Sequence, residues 1–262
     1  MKLRSYLARA FKLLLSNPRF KITPTHFAIL KLGSNHGGWS FIDAKDLKGA
    51  VVISAGLGED ASFDVEIASM FGMKVLMIDP TPRAIKHFNE MTTQFSKHKT
   101  KDYSLGGHQD IQAYEMGNLD SHNFDFIPKA LWNEKTKLRF FEPQDPSHVS
   151  HSIINFQKSY STETTYIEVE SIRLIDICEY FEIQSIPILK LDIEGAEIEV
   201  LKDMLLSGIY PNQVLVEYDE LNYPSLKGRK RVLGCHRDLV SNNYELVHRD
   251  FPSNFLYLLK SD

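Results

Sequence analysis

"AVVISAGLGEDASFDVEIASMFG", residues 50–72, is the stretch of the chain that decides its fold. An apolar run typical of a buried strand leads into a loop with Gly56 and Gly58, and apolar residues at helical spacing follow. Glycines permit a tight turn and a close approach of the backbone to a ligand, because they have no Cβ. The N-terminus of the helix offers free N–H groups to a carboxylate or phosphate. The stretch therefore predicts the strand–loop–helix unit of a ligand-binding α/β protein.

Strands and helices continue to alternate along the rest of the chain. Apolar runs typical of strands recur at residues 74–79, 124–132, 137–143, 187–193 and 212–220, and two more surround a Pro-Ser-Asn turn in residues 244–259. This alternation predicts an α/β fold with a mostly parallel sheet, helices on both faces and a C-terminal antiparallel hairpin. The loops that follow parallel strands meet at one edge of the sheet, where ligands of such folds bind.

Composition narrows the class of protein. With 43% apolar and 24% charged residues in 262, the chain is long and apolar enough for a globular core. A net charge of −4 gives no electrostatic reason to expect a nucleic-acid partner. Cys178 and Cys235 lie outside any CxxC motif, which argues against a disulfide framework or a zinc–thiolate site and favours a cytoplasmic location. No apolar run approaches the roughly 18 residues of a membrane span.

The N-terminal segment "MKLRSYLARAFKLLLSNP" (1–18) carries an apolar stripe at helical spacing, with most basic residues off the stripe. Two interpretations remain open. The helix docks on its own domain or on a second subunit of a homo-oligomer, or residues 1–16 lie on a membrane surface as a peripheral contact.

Asp79 ends the second predicted strand, 21 residues after Gly58. An acid at this strand tip is placed to accept hydrogen bonds from ribose hydroxyls. Together with the glycine loop it indicates an adenosine-containing cofactor. The alternative is a tight turn followed by a helix-capping Asp.

The loop also matches the dinucleotide fingerprint, as Gly56-x-Gly58-x-x-Ala61. Glu59 and Asp60 argue against a dinucleotide, because two acids at a helix N-terminus repel a pyrophosphate. A cofactor with a cationic methionine end tolerates them. The acids therefore favour S-adenosylmethionine over NAD.

Five blocks in order, "SAGLGEDASFD", "IDPTP", "KALWNE", "HVSHSI" and "LKLDIEGAE", resemble the FkbM family of S-adenosylmethionine-dependent methyltransferases, and "LGSNHGGW" upstream is similar to some members. The resemblance spans about residues 32–218. It implies a class I methyltransferase (Rossmann-like) fold with seven strands, and O-methylation of a hydroxyl on a sugar, glycan or polyketide. The cofactor-binding residues that it implies, together with those expected above, are Ser54, Gly56, Gly58, Glu59, Ser62, Asp79, Leu131 and Trp132, with Ala130 beside them.

Ser54 departs from the pattern, because many class I enzymes carry an acid at this position. A serine at this position does not supply the expected contact to the amino group of the cofactor's methionine end. We expect Asp192 or a backbone carbonyl to supply that contact. Lys190 also stands out, since it lies inside a strand that should be buried, and a buried charge requires a partner. A neighbouring carboxylate is the expected partner.

In this topology the tips of the fourth and fifth strands, which carry Asp192 and Glu217, flank the transferred methyl group. Two carboxylates there suit a divalent cation, Mg or Mn, that orients and acidifies the acceptor hydroxyl. They also suit a metal-free base and hydrogen-bond acceptor. Glu194 is expected to face the same cleft as a catalytic residue, with a first-turn helix acid as the alternative.

Other candidate side chains surround this strand end. The location of Glu197 is left open between the cleft and the surface. Glu199 is predicted to be solvated, paired either with Lys202 or with no residue. His151, close to His148 in "DPSHVSHSIINF" (145–156), is a candidate general base, because the pKa of histidine lies near working pH. The alternative is that these histidines only shape the acceptor pocket.

The sequence thus predicts an S-adenosylmethionine-dependent O-methyltransferase that acts on a hydroxyl, most readily of a carbohydrate. An NAD-dependent oxidoreductase and a non-catalytic protein that binds a glycan or a partner remain the alternatives. Residues 1–45 are expected to form a helical cap segment and residues 46–262 the methyltransferase domain. Residues 96–123 and 137–165 are expected as loop insertions that form the acceptor pocket.

Overall fold

The computed structural model describes residues 15–141 and 165–260. Its centre is a seven-stranded sheet with the order β11-β12-β10-β9-β3-β4-β5. The strands of this sheet are β3 (Val51–Ala55), β4 (Lys74–Ile78), β5 (Phe124–Ile127), β9 (Ile188–Leu191), β10 (Gln213–Glu217), β11 (Tyr244–Asp250) and β12 (Asn254–Leu259). Five of them, β5, β4, β3, β9 and β10, are parallel neighbours. Strand β12 is antiparallel to both β10 and β11, which confirms the predicted C-terminal hairpin.

Helices cover both faces of the sheet, and each face carries its own apolar core. The helices are α1 (Ser62–Phe71), α2 (Pro82–Thr92), α3 (Leu174–Tyr180), α4 (Glu197–Leu206), α5 (Asp219–Asn222) and α6 (Leu226–Ser241), with 3₁₀ turns at Lys45–Leu47 and Ile111–Ala113. Helix α1 ends as predicted at Gly72, which adopts a left-handed conformation and donates to Ala68 O. Thr81 caps α2, with Pro82 at its first position.

The strand predicted for residues 124–132 is wrong as a single element. It divides at Pro128 into β5 and a short strand β6 (Ala130–Leu131). Strand β6 joins a separate three-stranded sheet, in the order β6-β8-β7, with β7 (Lys137–Phe141) and β8 (Tyr166–Ile172). Proline has no N–H to donate, so it interrupts the ladder at this point. Residues 137–141 are therefore strand and not loop insertion, and residues 142–164 lie outside the described part.

The predicted helical cap is also wrong for residues 29–42, which form an antiparallel hairpin of β1 (Ile29–Leu32) and β2 (Trp39–Ile42). All four residues of β2 are buried. The Gln213 side chain fixes the end of β2, because it accepts from Ile42 N at 2.7 Å and donates to Ile42 O at 2.9 Å. Residues 1–14 lie outside the described part, so the amphipathic stripe stays a prediction.

Within residues 15–141 and 165–260, no helix combines the length and the apolar character needed to cross a membrane.

Candidate functional site

A cleft opens where the parallel strands β3, β4, β9 and β10 end. It is lined by the loops after β3 (residues 56–60), β4 (79–81) and β9 (192–194), and by Glu217 on β10. Apolar side chains form another part of its wall, namely Ile78, Ala130, Leu131 and Phe140. The cleft thus lies at the sheet edge where the sequence predicts that a ligand binds.

Gly56 lets two of these loops touch. Its φ angle is +88°, a backbone conformation that residues with a Cβ rarely adopt. A Cβ on Gly56 would also lie 1.7 Å from the backbone oxygen of Asp192. The glycine is therefore required for the close approach of the chain after β9, and not only for the approach of a ligand.

Asp79 holds the glycine loop in place. It is 7% exposed, and its carboxylate accepts from Leu57 N at 3.0 Å and Gly58 N at 2.9 Å. It also accepts from Thr81 N at 2.8 Å and Thr81 Oγ1 at 2.6 Å. These four donors match the roughly four acceptor positions of a carboxylate. The ribose contact of Asp79 stays a prediction, and the observed bonds give this residue a role in loop geometry.

Asp60 joins three loops at one side of the cleft. Its carboxylate accepts from Ser34 Oγ at 2.6 Å, from Gln109 Nε2 at 3.1 Å and from Ser62 N at 3.0 Å. Gly37 packs so closely on Asp60 that a Cβ there would lie 2.6 Å from Asp60 Cγ. We call the loops at residues 33–38, 56–60 and 104–109 the three-loop collar.

The collar contains lining residues that the sequence reasoning missed. His36 and Gly37 line the cleft, as does Gly107, where a Cβ would lie 3.0 Å from the His36 ring. The glycine cluster in "LGSNHGGW" was the available signal for the first of these loops. Glu59 connects the glycine loop to two other segments. Its carboxylate lies 2.5 Å from Nη2 of Arg83 in α2 and 3.4 Å from Nδ1 of His108 in the loop at residues 104–109.

Asp192 and Glu217 lie side by side, as the topology predicts. Both line the cleft, and they directly follow the register pair Leu191–Val216 of the neighbouring strands β9 and β10. Burial, and then the neighbouring Glu217 carboxylate, raise the pKa of Asp192 well above its usual range. Glu217 Oε1 accepts from Asn222 Nδ2 at 2.6 Å and from Ser253 Oγ at 3.0 Å, which fixes its position.

The metal interpretation of this pair gains no support from its neighbours. Among the residues that the structure describes, no group of three or more His, Cys, Asp or Glu side chains is arranged to hold a metal ion. The pair supplies two carboxylates, and Mg²⁺ in proteins is bound by one or two carboxylates with waters and substrate oxygens, so Asp192 and Glu217 are the residues that would hold such an ion.

The acids after Asp192 have separate roles. Glu194 lines the cleft with a φ of +53°, an uncommon conformation for a residue with a side chain. Glu197 is 1% exposed and accepts from Ile193 N and Gly195 N, both at 3.0 Å, so it stabilises the turn before α4. Burial, together with nearby acids, raises the pKa of Glu197 well above its usual range. Glu199 pairs with Lys202 at 3.2 Å, the first of its two predicted alternatives, and also with Arg231 at 3.3 Å.

Lys190 finds a different partner from the expected carboxylate. The side chain is 3% exposed, and its Nζ donates to Gly56 O at 2.7 Å. It also lies 5.6 Å from the centroid of the Trp39 ring, within the range of a cation–π contact. The lysine therefore connects β9 directly to the glycine loop.

The remaining predicted residues are distributed as follows. Leu131 lines the cleft, whereas Trp132 packs against the core. Ser54 and Ser62 are buried, and within residues 15–141 and 165–260 neither they nor Trp132 line the cleft. His151, and His148 with it, lies outside the described residues, so its role as a base stays a prediction.

The cleft is strongly acidic. Lys190 is the one Lys or Arg among its lining residues in the described part of the chain. Six carboxylates line it, those of Glu59, Asp60, Asp79, Asp192, Glu194 and Glu217. Such a lining favours a ligand with a positive charge and disfavours a pyrophosphate.

A seven-stranded, mostly parallel sheet with a terminal antiparallel strand pair and a cleft at the strand ends defines the Rossmann-like class of methyltransferase folds. The family described as methyltransferase FkbM domain matches residues 53–237, and the chain belongs to this family. Its members transfer methyl groups, and S-adenosylmethionine is the cofactor that the family implies. Neither the comparison with curated proteins nor the comparison with solved structures gives a match.

Proposed function

We propose that this protein transfers the methyl group of S-adenosylmethionine to a hydroxyl group, and that the acceptor is a sugar or glycan. The observation that carries the proposal is the acidic cleft at the ends of β3, β4, β9 and β10, in a chain of the FkbM methyltransferase family. An NAD-dependent oxidoreductase fits less well, because its pyrophosphate would meet Glu59 and Asp60 at the N-terminus of α1.

The residues of the cleft fit the cofactor in two respects. Its apolar wall at Ala130, Leu131 and Phe140 suits an adenine ring, and its carboxylates suit the positive charges of the methionine end. The loop at residues 56–59 would hold the cofactor, with Asp79 at its base. When bound, S-adenosylmethionine supplies a methyl group on a positively charged sulfur.

Asp192 is the proposed proton acceptor in this reaction. An alcohol loses its proton as it attacks, and a base with a raised pKa removes that proton more effectively near neutral pH. Burial and Glu217 raise the pKa of Asp192 in this way. Glu217, held by Asn222 and Ser253, positions the Asp192 carboxyl group.

The acceptor class rests on the family resemblance together with the position of the cleft. We propose that the acceptor enters beside Glu194 and the three-loop collar. We also propose that residues 1–45, 96–123 and 137–165 contribute to the acceptor pocket.

Mass spectrometry of candidate glycans after incubation with cofactor that carries an isotopically labelled methyl group tests the reaction. The expected result is a glycan that gains one labelled methyl group, with release of S-adenosylhomocysteine. A parallel reaction with a chelator decides whether a divalent cation takes part. Labelled methyl on a nitrogen, or no transfer to any glycan while another hydroxyl compound is methylated, would overturn the proposed acceptor class.

A further inference from the structure

Two buried side chains hold the end of the glycine loop without lining the cleft. The hydroxyl of Tyr114 accepts a hydrogen bond from Ala61 N at 2.9 Å, and it lies 2.7 Å from Nε2 of His87 on α2. Tyr114 is 1% exposed and His87 is 2% exposed. Within residues 15–141 and 165–260, neither is among the residues that line the cleft. We call them the Tyr114–His87 pair.

The hydrogen bonds of the Tyr114 hydroxyl define the form of His87 that fits this site. Ala61 N is a donor, so the hydroxyl accepts that bond and its own proton needs a separate acceptor. In the described part of the chain, His87 Nε2 is the other hydrogen-bond partner of the hydroxyl. Nε2 accepts a proton only when the imidazole is neutral. The arrangement therefore fits a neutral His87 to which Tyr114 donates.

Ala61 stands where the glycine loop becomes α1. It is the N-cap residue of α1, its side chain offers no hydrogen bond to the helix, and it is fully buried. Glu59 and Asp60, which immediately precede it, line the cleft. The bond from Ala61 N to Tyr114 thus fixes the backbone beside two residues of the proposed cofactor site. A buried N–H that lost this acceptor would be costly, so the loop would open to let it reach water.

A positive charge on His87 would disrupt this arrangement, because an imidazolium donates from both ring nitrogens and the Tyr114 hydroxyl would then lose its acceptor. Burial and the His108 ring, whose centroid lies 6.0 Å from that of His87, lower the pKa of His87 and favour its neutral form. Nearby acids act in the opposite direction without reversing the shift. The titratable groups that face the pair are His108, Glu59, Asp60, Asp64, Glu90 and Tyr103, and Arg83 is paired with Glu59.

We propose that Tyr114 and His87 are positioning residues for cofactor binding: the neutral His87 ring holds the Tyr114 hydroxyl, which holds Ala61 N and with it the end of the glycine loop. This inference rests on the proposed function. It adds a pH dependence to cofactor affinity, because protonation of His87 favours the open loop. The affinity is complete above the usual pKa of histidine, about 6.5, and falls as the pH is lowered below that value.

The competing explanation is that the pair only stabilises the fold, as satisfied buried polar groups do in general. The two explanations differ in what they predict for the cofactor. A purely structural role changes the unfolding temperature and leaves the Kd of the folded protein unchanged. A positioning role changes the Kd, since ligand binding must then close a loop that is open in the free protein.

The test compares Tyr114→Phe, His87→Gln and the control His122→Gln, which replaces a histidine whose side chain is 92% exposed. Glutamine carries an acceptor oxygen at the ε position and does not titrate, so it keeps the bond to Tyr114 without the pH dependence. Calorimetry gives the Kd of S-adenosylhomocysteine at about pH 7.5 and about pH 5.5, on either side of the usual pKa of histidine. Thermal unfolding at both pH values reports the fold.

At the higher pH, Tyr114→Phe is expected to weaken binding by about 5- to 100-fold, the range for a buried donor left without an acceptor. His87→Gln is expected to keep most of the affinity. On acidification the unsubstituted chain is expected to lose about 3- to 10-fold more affinity than His87→Gln, because each pKa unit between the open and closed loop is tenfold in affinity. Groups elsewhere in the cleft titrate in both chains, so the difference isolates His87. His122→Gln is expected to match the unsubstituted chain at both pH values.

Unchanged affinity in Tyr114→Phe overturns the inference, and so does an equal loss on acidification in the unsubstituted chain and in His87→Gln. If Tyr114→Phe fails to fold, the comparison with His87→Gln decides alone. A further variant, His108→Gln, removes the half-exposed ring beside Glu59. If it abolishes the pH dependence while His87→Gln retains it, the titration belongs to His108 and the inference is wrong. Absence of binding by the unsubstituted chain at either pH is a separate result, which overturns the proposed function and this inference with it.

Discussion

The backbone oxygen of Asp192 lies 1.7 Å from the point where a β-carbon on Gly56 would stand. No rotamer change can relieve such a contact, because the backbone fixes the position of a Cβ and the Asp192 oxygen is itself a backbone atom. The loops after β3 and β9 are therefore fitted to each other only while residue 56 is glycine. This contact joins the glycine loop, which is proposed to bind the cofactor, to Asp192, which is proposed to take the proton.

Gly56→Ala is expected to push the two loops apart and to abolish cofactor binding, measured as loss of the calorimetric signal with S-adenosylhomocysteine. Gly72→Ala is the matched control, because Gly72 also has a positive φ of 64° but a Cβ there would meet nothing within 4 Å. The control should lose only about 1–2 kcal/mol of stability from backbone strain and keep its affinity. Equal loss of binding in both variants would show that strain, and not the contact with Asp192, matters.

Glu217→Gln is expected to move the acid limb of the pH–rate profile to lower pH. The rate rises with pH as Asp192 loses its proton, and the Glu217 carboxylate is one cause of the raised pKa of Asp192. Removing that negative charge lowers the pKa of Asp192, so the base becomes available at lower pH. The measurement is kcat against pH, with Glu199→Gln as the control. A limb that stays in place or moves upward would contradict the role of the pair.

Glu197→Ala is expected to destabilise the fold by about 1–3 kcal/mol, because Ile193 N and Gly195 N lose their acceptor. Glu199→Ala, two residues along the same helix, should cost no more than about 1 kcal/mol, since it removes only partly exposed ion pairs. Glu197→Gln keeps an acceptor oxygen and should stay close to the unsubstituted chain at low pH. Urea unfolding measures all three, and equal costs for the two alanine variants would refute the structural role of Glu197.

Asp60→Ala is expected to loosen the three-loop collar. It removes the acceptor of Ser34 Oγ, Gln109 Nε2 and Ser62 N, and hydrogen bonds to a charged group contribute about 1.5–3 kcal/mol each. Amide hydrogen exchange should become faster in peptides that cover residues 33–38 and 104–109. Asp102→Asn, an exposed acid next to the third loop, is the control. Unchanged exchange in Asp60→Ala would mean that other contacts hold the collar.

The sequence was sufficient where local pattern determines structure. The strand–loop–helix unit, the cap at Thr81 and the stop at Gly72 depend on neighbouring residues, and the family signature identified the strand tip at Asp192. Pro128 was visible in the sequence, yet only the three-dimensional arrangement reveals that the chain changes sheets there.

Contacts between residues that lie far apart in the sequence could not be predicted from local sequence patterns. Asp60 bonds to Ser34 and Gln109, 26 and 49 residues away, and Gln213 bonds to Ile42 across 171 residues. Side-chain pairing over such separations leaves no periodic signal. The same limit applies to Lys190, for which a carboxylate was expected as the hydrogen-bond partner and the Gly56 carbonyl was found.

The most direct test of the central claim is an equilibrium titration of the unsubstituted chain with S-adenosylhomocysteine and, separately, with NAD. The acidic cleft and the family assignment predict saturable binding of S-adenosylhomocysteine at one site, with no binding of NAD at the same concentrations. Binding of NAD without binding of S-adenosylhomocysteine would contradict the account.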